Sequence, residues 1–163
     1  METAAKKIFK KGSGREQRLP AALGEDMYGF FPEMDIRDVN KISILGLAHV
    51  GDGVYELLVR SMLCQSGHTA LLDLHKSTVK MVKAAAQATA AEKLLGVLDG
   101  DELAIYKRGR NAHVHTVPKN ADIGQYHAAT GLEALFGWLY LQGKLERINR
   151  LFAVIMENTG HAT

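Results

Sequence analysis

Between Val39 and Met62 apolar residues recur at helical spacing, through Ile42, Leu45, Val54, Leu57 and Leu58, and the centre of that run is Gly51-Asp52-Gly53. Each glycine costs a helix about 1 kcal/mol relative to alanine, and aspartate is itself a poor helix-interior residue. Something must offset that cost. Glycine strips away side-chain bulk and lets another backbone or a bulky ligand come near, while Asp52 faces away from the strictly apolar positions. Two readings follow from the residues alone: tight packing against a neighbouring helix with Asp52 a solvated acid, or an acid held beside a bare backbone for its chemistry.

A second oddity matches the first. Glu133 sits inside the apolar run Gly131-Leu132-Glu133-Ala134-Leu135-Phe136-Gly137-Trp138-Leu139. A carboxylate among core residues is expensive to bury unless it is paired or bound to a cation; the plain alternative is a glutamate reaching solvent from a helix edge. Two such acids on separate helices suit Mg²⁺, which keeps several waters and needs only one or two protein carboxylates where phosphate supplies further oxygens. That chemistry points to phosphodiesters.

The rest of the chain reads as helical. Its 163 residues, 47% hydrophobic and 23% charged, make one domain with a single core, and 3 prolines and 7% aromatics favour helices over a sandwich of sheets. Residues 1–34 mix Lys, Gly, Ser, Arg and Pro without apolar periodicity and read as a basic, flexible N-terminal arm, leaving 35–160 as the folded domain. The patterning predicts one long helix from Asp35 to the stop at Gln65-Ser66-Gly67. A second element follows from a Thr69 cap through Leu74, and a third from Ser77 or Thr78 to Leu98, broken by Asp99-Gly100-Asp101. A short helix to about Arg110, a loop from Asn111 to Asn120, and helices over 122–141 and 144–158 complete an all-α bundle of six or seven helices.

Net charge is +2, so bulk charge announces no nucleic-acid partner. Its distribution says more. The stretch Leu103–Ala121 carries Lys107, Arg108, Arg110 and Lys119 with no acid. No segment is apolar enough to span a membrane, no secretory signal is visible, and the lone Cys64 cannot form an internal disulfide, so a reducing, cytoplasmic compartment is expected.

Leu47-Ala48-His49-Val50-Gly51-Asp52-Gly53-Val54-Tyr55-Glu56 resembles the signature helix of ribonuclease III catalytic domains, and Leu132-Glu133-Ala134-Leu135-Phe136-Gly137 resembles their second acidic helix. Tyr106-Lys107-Arg108-Gly109-Arg110-Asn111-Ala112, followed by Thr116-Val117-Pro118-Lys119-Asn120-Ala121-Asp122, is similar to the loop pattern of the Mini-ribonuclease III subgroup, which consists of the catalytic domain alone. The resemblance runs from about Asp38 to Asn158.

It implies a ribonuclease III-like helical bundle, homodimeric, acting as a Mg²⁺-dependent endoribonuclease on double-stranded RNA, with Mn²⁺ able to substitute. The products would be 5′-phosphate and 3′-hydroxyl ends, and the substrate the paired ends of the large-subunit (23S) ribosomal RNA precursor, presented by a large-subunit ribosomal protein. Asp52 and Glu133 fall on the family's metal-binding, catalytic acids. Where larger members carry a glutamate four positions before the first acid and an aspartate three before the second, this chain has Ala48 and Thr130, so water and RNA phosphate would complete the metal's sphere. The chain leaves no room for the separate duplex-binding domain of larger relatives. Lys107, Arg108, Arg110, Asn111, Lys119 and Asn120 are then the candidate RNA contacts: arginines fork onto phosphates, and asparagines bond sugar hydroxyls.

Other features carry less. Glu56 reads as an i,i+4 ion-pair partner of Arg60, and the seven histidines lack zinc-site spacing. His49 lines either the site or a dimer seam, and Trp138 and Tyr140 read as core or interface aromatics. Two rival functions remain: a non-catalytic RNA-binding or ribosome-assembly factor that keeps the fold, and a helix-turn-helix DNA binder. Retention of both acids speaks against the first, and basic residues in a loop rather than on a recognition helix against the second.

Overall fold

A computed structural model describes residues 32–67, 70–113 and 122–157. Among them are seven helices and no strand: α1 (Ile36–Val39), α2 (Ile44–Gln65), α3 (Leu71–Val82), α4 (Ala84–Leu94), α5 (Gly100–Arg110), α6 (Ile123–Leu141) and α7 (Leu145–Met156). The basic arm read over residues 1–34 lies outside the described residues up to 31; at its end the Met34 amide donates to the Leu141 carbonyl at 2.8 Å.

Helix α6 is the axis of the bundle. From Ala129 to Leu139 every residue except Glu133 is buried, because α2, α4, α5 and α7 all pack on it. Leu132, Leu135, Phe136 and Leu139 meet Leu47, Tyr55, Val59, Leu94 and Leu151, all essentially inaccessible to water. Side chains of this size contribute about 1.5–3 kcal/mol each when fully buried. Tyr55 presents ring edges to Phe136 and Phe152 at centroid distances of 5.6 and 6.0 Å.

Three predicted boundaries were wrong, one of them the end of the third element, which falls at Leu94 and not at Leu98. The long first helix is interrupted at Asn40–Ser43: Asp35 caps α1 by accepting from the Arg37 amide at 2.8 Å, and Ser43 caps α2 by accepting from the Gly46 amide at 3.0 Å. Apolar spacing alone runs across this break because Val39 before it, Ile42 within it and Ile44 after it pack on the same core. The next boundary falls at Lys83, not at Ser77 or Thr78. Thr78 lies inside α3, buried, and its hydroxyl donates to the Leu74 carbonyl at 2.8 Å instead of capping anything. Lys83 is extended (ψ 150°) and ends α3 while opening α4. Thr69, the other cap read from sequence, lies outside the described residues.

The remaining starts follow their capping chemistry. Asp99 and Glu102 form a reciprocal capping box at the head of α5, and Asp122 caps α6. Glu102, 2% exposed, also takes a two-pronged contact from Arg147 at 2.7 and 2.8 Å, tying α5 to α7. The Trp138 indole donates to Asn40 at 3.2 Å, so this residue belongs to the core.

Candidate active site

The glycines of α2 and α6 set the site. A Cβ on Gly51 would lie 1.7 Å from the Glu133 carbonyl oxygen, and one on Gly137 would lie 2.0 Å from the Leu47 carbonyl oxygen. The two helices therefore cross backbone against backbone, at a separation only glycine permits. Asp52 follows the contact residue on α2 and Glu133 is the contact residue on α6, so the crossing brings the two acids to one place. Gly53 has a different role: a Cβ there would meet nothing within 4 Å, which leaves the surface beside Asp52 bare.

Asp52 is exposed, whereas Glu133 is half-buried. Burial, reinforced by the negative charge of Asp52, pushes the Glu133 carboxyl up to about 7, and a hydrogen bond from the Gln87 side chain partly opposes that rise. A buried carboxyl whose ionisation is opposed by a neighbouring carboxylate belongs to a hard-oxygen pair short of positive charge. Among the described residues no group of three or more His, Cys, Asp or Glu side chains could hold an ion together. The pair fits a cation such as Mg²⁺, which accepts one or two protein carboxylates and completes its shell with water and phosphate.

Neither position where larger relatives carry a further acid can contribute. Ala48 is buried, and the buried Thr130 donates its hydroxyl to the Tyr126 carbonyl at 3.0 Å. Thr130 is also spent on packing. A Cβ on Gly109 of α5 would lie 2.8 Å from the Ala134 Cβ, 2.9 Å from Gly131 and 3.0 Å from the Thr130 carbonyl oxygen. This second close crossing fixes the last turn of α5 against residues 130–134, within one turn of Glu133.

That last turn carries Lys107, Arg108 and Arg110, all exposed, and Asn111 ends the helix. Arg108 and Arg110 face different clefts. Arg108 shares one with Asn40, Asp101 and Lys144, while Arg110 and Asn111 share another with His113, Gly124 and His127. Lys119 and Asn120 fall outside the described residues. The Glu56 carboxylate is paired with Arg60 (Nε to Oε1, 2.8 Å), as the i,i+4 spacing predicts.

A family model for the ribonuclease III domain matches residues 45–144, which span both acidic helices, the glycine crossings and the basic turn. The chain belongs to the ribonuclease III family. Within that family its likeness is to Mini-ribonuclease III. It is 37% identical over 138 residues to Mini-ribonuclease 3 of Thermoanaerobacter sp. (strain X514), covering 83% of this chain and 97% of that protein. Against Mini-ribonuclease 3 of Streptococcus pneumoniae the identity is 43% over 116 residues, covering 70% and 91%. A crystal structure of a protein from Fusobacterium nucleatum is 32% identical and matches with a TM-score of 0.67 over 74% of this chain and 96% of that one. As a member of the ribonuclease III family the chain is an endoribonuclease.

Sequence reasoning passed over Gly137, Gly109 and Gly131 as contact residues, and Gln87 altogether. The glycines had a signal: helices that pay for glycine repeatedly are crossing something closely. Gln87 had a fainter one, as the one long polar side chain in the tract Ala84–Ala91.

Proposed function

We propose that this ribonuclease III-family enzyme cuts double-stranded RNA using Mg²⁺ held between Asp52 and Glu133. The observation that carries the reading is the pair of glycine crossings on one stretch of α6, which sets the two acids and the basic end of α5 side by side. When bound, the cation supplies activation of water and neutralisation of the charge that builds on the scissile phosphate. The chain's own residues do the rest. Asp52 and Glu133 orient the ion, the bare surface at Gly53 admits the strand, and Lys107, Arg108, Arg110 and Asn111, with Lys119 and Asn120 of the following loop, grip phosphates and sugar hydroxyls. Mn²⁺, another divalent ion that accepts oxygen ligands, should substitute, and hydrolysis leaves 5′-phosphate and 3′-hydroxyl ends.

The enzyme works as a homodimer in this reading. Leu45 and Leu57 stand exposed on α2, and Leu71 and Leu72 are 80% and 72% exposed. Apolar surface of this kind favours a partner, and two symmetric sites could cut both strands of one duplex. The substrate is the large-subunit (23S) ribosomal RNA precursor in the cytoplasm, presented by a large-subunit ribosomal protein; this rests on the family likeness. Among the described residues no helix is long and apolar enough to cross a membrane.

The decisive assay incubates the protein with duplex RNA, single-stranded RNA and duplex DNA, with Mg²⁺ or with EDTA. Metal-dependent shortening of duplex RNA alone, from a species of twice the 17.8 kDa chain mass by light scattering, is the expected result. Binding without scission would instead favour an assembly factor. Arg110→Glu should weaken duplex binding and reduce the slope of log affinity against log salt by about one, the loss of one phosphate contact, while Mn²⁺ uptake stays unchanged. An unaltered slope would remove Arg110 from the RNA face.

A further inference from the structure

A second charged cleft lies apart from the two acids. It encloses about 550 Å³, and Asn40, Asp101, Arg108, Trp138, Gln142 and Lys144 line it. Clefts that admit small polar ligands have this size. Arg108 and Lys144 are both exposed, and neither has a carboxylate partner among the described residues. Lys144 is nevertheless held in place, because its Nζ stands 4.7 Å from the centre of the Trp138 ring. The Trp138 indole in turn donates to the Asn40 Oδ1 at 3.2 Å, which fixes that amide and leaves its NH2 group as an unused donor. Asp101, in the first turn of α5, is the one acid lining the cleft, against two cations. Exposed charges without partners contribute little to stability, so packing does not account for this set.

Its position is fixed by α6. Trp138 and Gln142 stand five and nine residues beyond Glu133, about 8 and about 14 Å along the helix axis. Ala134 meets α5 while Glu133 and Gly137 meet α2, so the cleft begins beside the basic turn of α5 and runs away from the acids.

We propose that this cleft seats unpaired RNA, the strand that continues past the duplex held at the acids. Arg108 and Lys144 take phosphate oxygens, the Asn40 amide donates to a further oxygen, and Asp101 accepts from a 2′-hydroxyl or a base amino group. An unpaired nucleotide offers base edges that a duplex hides. Trp138 is only 4% exposed and Lys144 lies over its ring, so charge and hydrogen bonding, not stacking, hold the strand. Continuity favours a nucleic-acid strand over a free anion: Arg108 shares its helical turn with Lys107 and Arg110, which the function proposed above places on the duplex. The inference rests on that reading.

Fluorescence anisotropy of the full-length protein is measured with a blunt RNA duplex and with the same duplex carrying an unpaired 5′ or 3′ tail, with Ca²⁺ replacing Mg²⁺ to hold off scission. The parent should bind one of the tailed duplexes about ten-fold or more tightly than the blunt one. Lys144→Glu should erase that advantage while its affinity for the blunt duplex stays within about two-fold of the parent's. Arg150→Glu makes the same charge change on an exposed α7 residue outside the cleft and should keep the advantage. If Lys144→Glu does not fold, Asn40→Asp, which keeps an acceptor for the indole and cancels the excess positive charge of the cleft, is measured with the same expectation. A parent indifferent to both tails, a tail advantage that survives in the folded cleft variant, or one lost equally in Arg150→Glu overturns the cleft as the seat of the strand. A parent that binds neither blunt nor tailed duplex overturns the duplex reading beneath it.

Discussion

Glu133→Gln should abolish cleavage of duplex RNA and, at the same time, make the metal-free protein more stable above pH 7. The first effect is the loss of one of two cation ligands, expected to cost about 10³-fold or more in rate, equivalent to about 4 kcal/mol of transition-state stabilisation. The second follows from linkage. Glu133 ionises at about 7 in the folded protein against an ordinary 4.5, first because it is buried and second because Asp52 stands close. A carboxyl whose folded value is raised favours the protonated folded form. Its penalty is absent below about 4.5, grows as the unfolded chain gives up its proton first, and is complete above about 7. Over that window metal-free stability falls by about 3 kcal/mol. Glutamine carries no such penalty. Thermal melts at pH 5 and pH 8 without metal test this: the parent should lose stability between them, the variant should not, and saturating Mg²⁺ at pH 8 should raise the parent's Tm far more than the variant's. Parent and Glu133→Gln melting alike at both pH values would exclude a strained, cation-seeking carboxyl.

The second large effect is steric. Gly51→Ala places a methyl group 1.7 Å from the Glu133 carbonyl oxygen and 2.6 Å from its carbon, and both atoms are backbone. No rotamer change relieves that overlap, so α2 and α6 must separate. Helix propensity offers alanine a gain of up to about 1 kcal/mol, while overpacking of this kind costs about 3 kcal/mol or more. The net change should therefore be strongly destabilising. Any protein that remains folded should cleave poorly, because separation displaces Glu133 from Asp52. Gly100→Ala is the contrast: a Cβ there meets nothing within 4 Å in the first turn of α5, and the substitution should be neutral or slightly stabilising. Denaturant unfolding of the two variants should give opposite signs. Similar midpoints for Gly51→Ala and the parent would mean that the helices do not meet as closely as described.

The all-helical class and most helix ends were legible in the sequence because they rest on local chemistry. Asp99, Asp122 and the glycine after Gln142 mark helix ends through their own backbone contacts. The breaks at Asn40–Ser43 and Lys83 were not legible from apolar spacing, because the residues flanking each break face one core and keep the helical rhythm across it. Lys83 offers no capping side chain to give the break away. The same divide holds at the site. Asp52 drew attention through its flanking glycines, but which glycine mattered depends on a helix some 80 residues away, and Gly53 proved to face open space.

Under the function proposed above, recognition and chemistry hang from one rod. The turn bearing Lys107, Arg108 and Arg110 is docked on residues 130–134 of α6, and the Asp52 helix is docked on residues 133–137 of the same helix. A shift of α6 along its axis would carry that basic turn and the two acids by the same amount; under the function proposed above, the distance between grasp and incision would then be a fixed gauge, unchanged by alterations in the surrounding loops.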